Sequence, residues 1–101
     1  MGYRAHVVTR SREYGSATFY NWDMFTNKFI PALELAGFNI YGNDEETFFE
    51  IDKEHLQKFV DSIPYNEEVS IYPEHNNKEL KEALQDAINE TRDSWISWEW
   101  F

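Results

Sequence analysis

Apolar and polar positions alternate with different periods along the chain, and each change of period marks an element. From Tyr3 to Thr9 the period is two. Tyr3, Ala5 and Val7 fall on one side, and Arg4, His6 and Val8 on the other. With Val7 and Val8 at its centre, this segment predicts a first strand. Arg10 to Ser16 is polar and contains Gly15, the composition of a loop. Between residues 17 and 37 the period lengthens: Phe25, Phe29, Ala32, Leu33 and Ala36 recur at helical spacing, and Gly37 follows as a stop. Pro31 interrupts that pattern. It lacks a backbone donor and restricts Ile30 before it, which predicts a kinked helix or two short helices with Pro31 opening the second. Ala17 to Trp22 fits a strand or a loop equally well.

Phe38 to Tyr41 and Thr47 to Asp52 are short apolar runs separated by Gly-Asn-Asp-Glu-Glu, the pattern of a hairpin with a loop of about five residues. Asp52 is placed to cap a helix over Lys53 to Ser62, with Leu56, Phe59, Val60 and Ile63 as its apolar stripe and Pro64 at its end. Val69 to Tyr72 reads as a short strand closed by Pro73. Asn76 with Glu79 three positions on is the signature of a capping box, opening a helix that runs to about Asp93. Ser94 to Phe101 closes the chain as an aromatic strand with Ile96, Trp98 and Trp100 on one side.

The expected fold is therefore α+β. Helices cover one face of a mostly antiparallel sheet, in a ferredoxin-like β-α-β-β-α-β core with a C-terminal α-β extension. No repeat, low-complexity tract or linker divides residues 1–101, which read as a single domain. With 101 residues, 42% of them apolar and 18% aromatic, the chain has enough material for a core despite its size.

Charge changes the picture more than size does. Residues 1–12 hold Arg4, Arg10 and Arg12 and no acid, whereas the whole chain has 19 acids against 9 Lys and Arg, a net charge of −10. An acidic body repels phosphate, so direct nucleic-acid binding and anionic membranes are disfavoured and a basic protein surface is the favoured partner. The absence of cysteine excludes disulfides and thiolate metal sites and fits a reducing cytoplasm. No segment reads as a signal peptide, a myristoylation motif or a membrane span.

The acids of the last helix are not scattered. On a helical wheel Glu79, Glu82, Asp86, Glu90 and Asp93 lie within roughly 80° of one another. Leu80, Leu84, Ala87, Ile88 and Thr91 lie opposite. The alternative is a solvated helix face, but such faces usually interleave Lys, whereas Glu82/Asp86 and Asp86/Glu90 are like-charge i,i+4 pairs that cost about 0.2–0.5 kcal/mol each, partly compensated by Lys78, Lys81 and Arg92 off to the side. Carboxylates stepped over about 21 Å of helix imitate the phosphates of a nucleic-acid strand. A secondary acidic patch, Asp44, Glu45 and Glu46, sits in the hairpin loop, with Glu67 and Glu68 in another connection. The four tail aromatics Trp95, Trp98, Trp100 and Phe101 place large rings on both sides of one strand, the pattern of a core strand or of a self-association surface. Phe19, Tyr20 and Trp22 are a second aromatic group.

Catalytic and cofactor chemistry finds no support. His6, His55 and His75 are scattered, and Asp52, beside Glu54 and His55, already has a capping role. The hairpin loop lacks the alternating ligands of a calcium site, and no nucleophile elbow, phosphate loop or His-Glu-x-x-His motif is present. No catalytic, cofactor or metal residue is therefore assigned.

Met1 to Val8, then Glu13-Tyr14-Gly15, and the closing Trp98-Glu99-Trp100-Phe101 resemble a group of small acidic proteins encoded by phages and prophages. The resemblance covers the chain ends and the acidity, and transfers no functional residue. It implies expression inside a bacterial host and an inhibitor of host machinery. The combined expectation is a non-enzymatic inhibitor of a host nucleic-acid-binding or defence protein, acting by DNA mimicry. Its alternatives are an interaction module that works through the aromatic strand, as a homodimer or an accessory subunit, and a small enzyme or small-ligand binder acting from a cleft.

Overall fold

A computed structural model describes residues 3–8, 14–64 and 76–101. Among these residues five strands form one sheet: β1 (Ala5–Val8), β2 (Tyr14–Phe19), β3 (Tyr41–Gly42), β4 (Phe48–Asp52) and β5 (Trp95–Trp100). Their spatial order is β2-β1-β5-β4-β3, and every neighbouring pair is antiparallel. Three helical segments accompany the sheet. α1 runs through Trp22–Met24, a π-helical turn at Phe25–Phe29, and Ile30–Leu35; α2 is Lys53–Ser62 and α3 is Asn77–Glu90. The architecture is α+β.

The chain order differs from the ferredoxin-like one that periodicity suggests. β2 follows β1 where a helix was expected, and β5 lies between β1 and β4. The strand expected over Val69 to Tyr72 lies outside the described residues.

Local chemistry accounts for the helix boundaries. The Asn21 side chain accepts from the Met24 amide and caps α1. Pro31 stands at the start of the segment Ile30–Leu35, as expected, and the wide turn before it pairs the Ile30 amide with the Phe25 carbonyl. A widened turn accommodates a residue that has no amide to give. Gly37, at φ +93, ends α1: its amide reaches the Glu34 carbonyl and the Phe38 amide the Leu33 carbonyl, the paired bonds of a Schellman cap. Asp52 caps α2 by accepting from the amides of Glu54 and His55. Both halves of the Asn76/Glu79 capping box are formed.

Side-chain alternation then sorts the sheet into two faces. Ala5, Val7, Phe49, Ile51, Ile96, Trp98 and Trp100 are buried with Phe25, Phe29 and Leu33 of α1, Leu56, Phe59 and Val60 of α2, and Leu80, Leu84, Ala87 and Ile88 of α3. Trp98 is at the centre. Its register partners are Val7 and Phe49, its ring meets Phe19 at 5.4 Å, and its indole N–H donates to the Thr18 hydroxyl at 3.0 Å. The other face carries Trp95, Ser97 and Glu99 beside Asp52, Glu50 and Phe48, and stays partly open.

Candidate acidic site

The acidic row of α3 follows directly from its amphipathic pattern. Because Leu80, Leu84, Ala87, Ile88 and Thr91 are all buried, Glu79, Glu82, Asp86 and Glu90 are turned outward and exposed. Asp93 departs from the expectation: it is exposed but lies beyond the helix, which ends at Glu90 rather than near residue 93. The Thr91 hydroxyl donates back to the Ala87 carbonyl, and Lys53 Nζ takes the Thr91 carbonyl at 2.6 Å. The Lys53 amide takes the Ser94 carbonyl, so the chain is pulled off the helical path toward the start of α2. The Asp93 carboxylate accepts from the amide of Ser94.

The remaining four carboxylates are not equivalent. Glu79 accepts from the Asn76 amide in the capping box. Glu90 reaches across to β2, where Oε1 accepts from both the amide and the hydroxyl of Ser16 at 3.2 Å. Glu82 and Asp86 make no hydrogen bond or ion pair with a described residue. Two nearby lysines point elsewhere: Lys81 Nζ donates to the Ile63 carbonyl, and Lys53 Nζ serves the end of α3. Arg4 lies over the Tyr20 ring, 5.2 Å from its centre. Arg10 and Arg12 lie outside the described residues.

Between α3 and β2 the acids line a groove of about 320 Å³, whose other wall is Ser16, Ala17, Thr18 and Tyr20. This wall escaped the sequence pattern, which reads residues 10–16 as loop and leaves 17–22 open. The signal that was available is Thr18-Phe19 at the end of a run of small and β-favouring residues. Asp44, Glu45 and Glu46 are exposed on the β3–β4 hairpin loop, at the sheet edge opposite β2, so the two acidic sets are not brought together. That loop is held by the Asn43 side chain, which accepts from the amides of Thr47 and Phe48, and by the Trp22 indole, which donates to the Glu46 carbonyl.

The aromatic tail divides. Trp98 and Trp100 are in the core, 0% and 3% exposed, so for these two the core-strand reading holds and a place in a self-association surface does not. β5 is the central strand and its register turns them toward the helices. Trp95 and Phe101 are exposed on the open face with Tyr14 and Tyr41. Phe101 stacks on His6 and meets Tyr14 edge-on, and Trp95 lies 6.0 Å from Tyr41. Of the second aromatic group, Phe19 is buried and Tyr20 is exposed.

No protein-family model, curated protein or solved structure matches the chain. Among the described residues no three His, Asp or Glu side chains are grouped closely enough to hold a metal ion, and no helix is long and apolar enough to cross a membrane.

Proposed function

We propose that this chain is a non-enzymatic binding protein that presents the acidic side of α3 to a basic protein surface. Such a surface is one that would otherwise hold nucleic-acid phosphates. The observation that carries the reading is the pair Glu82 and Asp86. Both are exposed, one turn apart and without a described partner, in the wall of a groove whose other carboxylates have the same sign. Repulsion along this row is a standing cost to the helix, which an opposing set of Lys and Arg removes. The sequence resemblance supports a bacterial host cytoplasm as the compartment and a host nucleic-acid-binding or defence protein as the target.

Displacement tests it. Host proteins retained on immobilised duplex DNA are challenged with the purified chain and with Glu82→Lys/Asp86→Lys. The wild type elutes a defined subset at low salt, less so as salt rises, and the variant elutes none. Equal elution by both proteins, or none by either, defeats the reading. Glu90 is left intact because it anchors β2.

A second reading, favoured by the exposed rings of Tyr14, Tyr41, Trp95 and Phe101 on the open face of the sheet, is self-association through that face. It requires a concentration-dependent mass that high salt leaves unchanged or raises, which light scattering at two ionic strengths measures.

A further inference from the structure

We propose that the open face of the sheet seats arginine side chains of a partner protein, each guanidinium held between a carboxylate, Glu50 or Glu99, and the aromatic rings beside it. This face is turned away from the helices, so the inference does not depend on the acidic side of α3.

Sheet register fixes the arrangement. Glu99 of β5 pairs with Phe48 of β4 on one side and with His6 of β1 on the other, and Glu50 of β4 pairs with Ser97 and with Tyr41. The two carboxylates are therefore on diagonal neighbours, about 7–8 Å apart. Each has rings at its flank. Tyr41 lies directly opposite Glu50, and Trp95, 6.0 Å from Tyr41, lies on its diagonal. Phe101, stacked on His6, stands next to Glu99. Trp95, Tyr41 and Phe101 are 37%, 54% and 51% exposed. Glu50 and Glu99 are half-buried, and neither makes a hydrogen bond or ion pair with a described residue. The cations that border these strands point elsewhere: Arg4 lies over the Tyr20 ring, and Lys53 Nζ holds the Thr91 carbonyl.

A carboxylate set among rings, with no cation of its own, calls for a cation with a flat face. Guanidinium meets both demands at once: its edge forks onto a carboxylate while its plane stacks on a ring. The ammonium of lysine is a strongly hydrated point charge and lacks the plane. The rings by themselves would suit a second copy of this chain, but the carboxylates would not, because Glu50, Asp52 and Glu99 would face their own counterparts. Size argues the same way. The face spans about 19 Å across five strands and about 20 Å along β5, or about 400 Å² in projection, against about 800 Å² per partner in a stable dimer.

Three fluorescently labelled peptides of the form Gly-Xaa-Gly-Xaa-Gly, with arginine, lysine or citrulline at Xaa, test the proposal on the full chain at low salt. Anisotropy reads binding, and amide and indole NMR shifts read its place. Expected are arginine binding at least about fivefold tighter than lysine, no binding of citrulline, and shifts at Ser97 and the Trp95 indole. Glu50→Gln/Glu99→Gln should weaken the arginine peptide by about tenfold. Trp95→Leu should remove most of its advantage over lysine, and decides the case should the double variant unfold. Glu82→Gln/Asp86→Gln should leave that advantage in place. Equal binding of the arginine and lysine peptides, or no binding by either, overturns the arginine seats. Binding that survives Glu50→Gln/Glu99→Gln but is lost in Glu82→Gln/Asp86→Gln also overturns them and assigns the attraction to α3. A mass that rises with concentration in the wild type and not in Trp95→Leu overturns them in favour of a second copy.

Discussion

Asp86→Lys should make the protein more stable and a weaker binder at the same time. Asp86 is exposed in α3, with Glu82 one turn before it and Glu90 one turn after. Each like-charge pair costs about 0.2–0.5 kcal/mol, and each opposite pair gains a similar amount, with Glu before Lys the better order. Replacing two repulsions by two attractions is a swing of about 0.8–2 kcal/mol before screening, or about 1 kcal/mol on an exposed face. In a domain of about this length that is a rise in Tm of about 4–8 °C. Lys is also the better helix former by a few tenths of a kcal/mol. Asp86→Gln therefore serves as the control, since it removes the repulsion and supplies no attraction. Thermal unfolding followed by circular dichroism at about 20 mM and about 500 mM NaCl separates the parts, because the Debye length shrinks several-fold between them. The lysine variant should exceed the glutamine variant at low salt and merge with it at high salt. If the two melt together at low salt, the repulsive row does not exist as described. If the lysine variant is stabilised yet binds a basic probe as wild type does, the row is only a solvated face.

Three further outcomes follow from the packing. Trp98→Phe opens space beneath the central strand and removes the bond to Thr18, and should cost about 2–3 kcal/mol in urea unfolding. Lys53→Met removes the ammonium that closes the last turn of α3 and should cost about 1 kcal/mol, with amides near Thr91 exchanging faster. Gly37→Ala meets no side chain, so its expected cost of about 1 kcal/mol comes from the φ of +93 alone; a neutral result in the same urea assay would show that the α1 cap relaxes.

Legibility in the sequence follows the range of the interactions. α2 was readable to the residue, because its cap, stripe and terminating Pro64 are all local signals. So were the start of α3 and the role of Pro31. The end of α3 was not, because Lys53, distant in sequence, pulls the chain away after Glu90. β2 was missed because an edge strand half-buried against one helix carries little alternation: only Thr18 and Phe19 in Tyr14–Phe19 are buried. The outward acids of α3 could be read from periodicity, but their setting in a groove could not, since its second wall is that same strand. Trp98 and Trp100 were legible as one side of β5, and only the placement of β5 in the middle of the sheet decides that this side is interior.

That central placement makes β5 a keystone. β1 pairs with β2, β3 pairs with β4, and among the described strands β5 alone joins the two pairs, bonding to Ala5–Val7 on one flank and to Phe48–Asp52 on the other. Two-stranded ribbons on their own are marginal in water. Native structure in either half therefore depends on a segment remote from both, and unfolding is expected to be all-or-none rather than hairpin by hairpin. Cutting the chain ahead of Trp95 and adding that strand back as a peptide turns the same dependence into a reconstitution reporter.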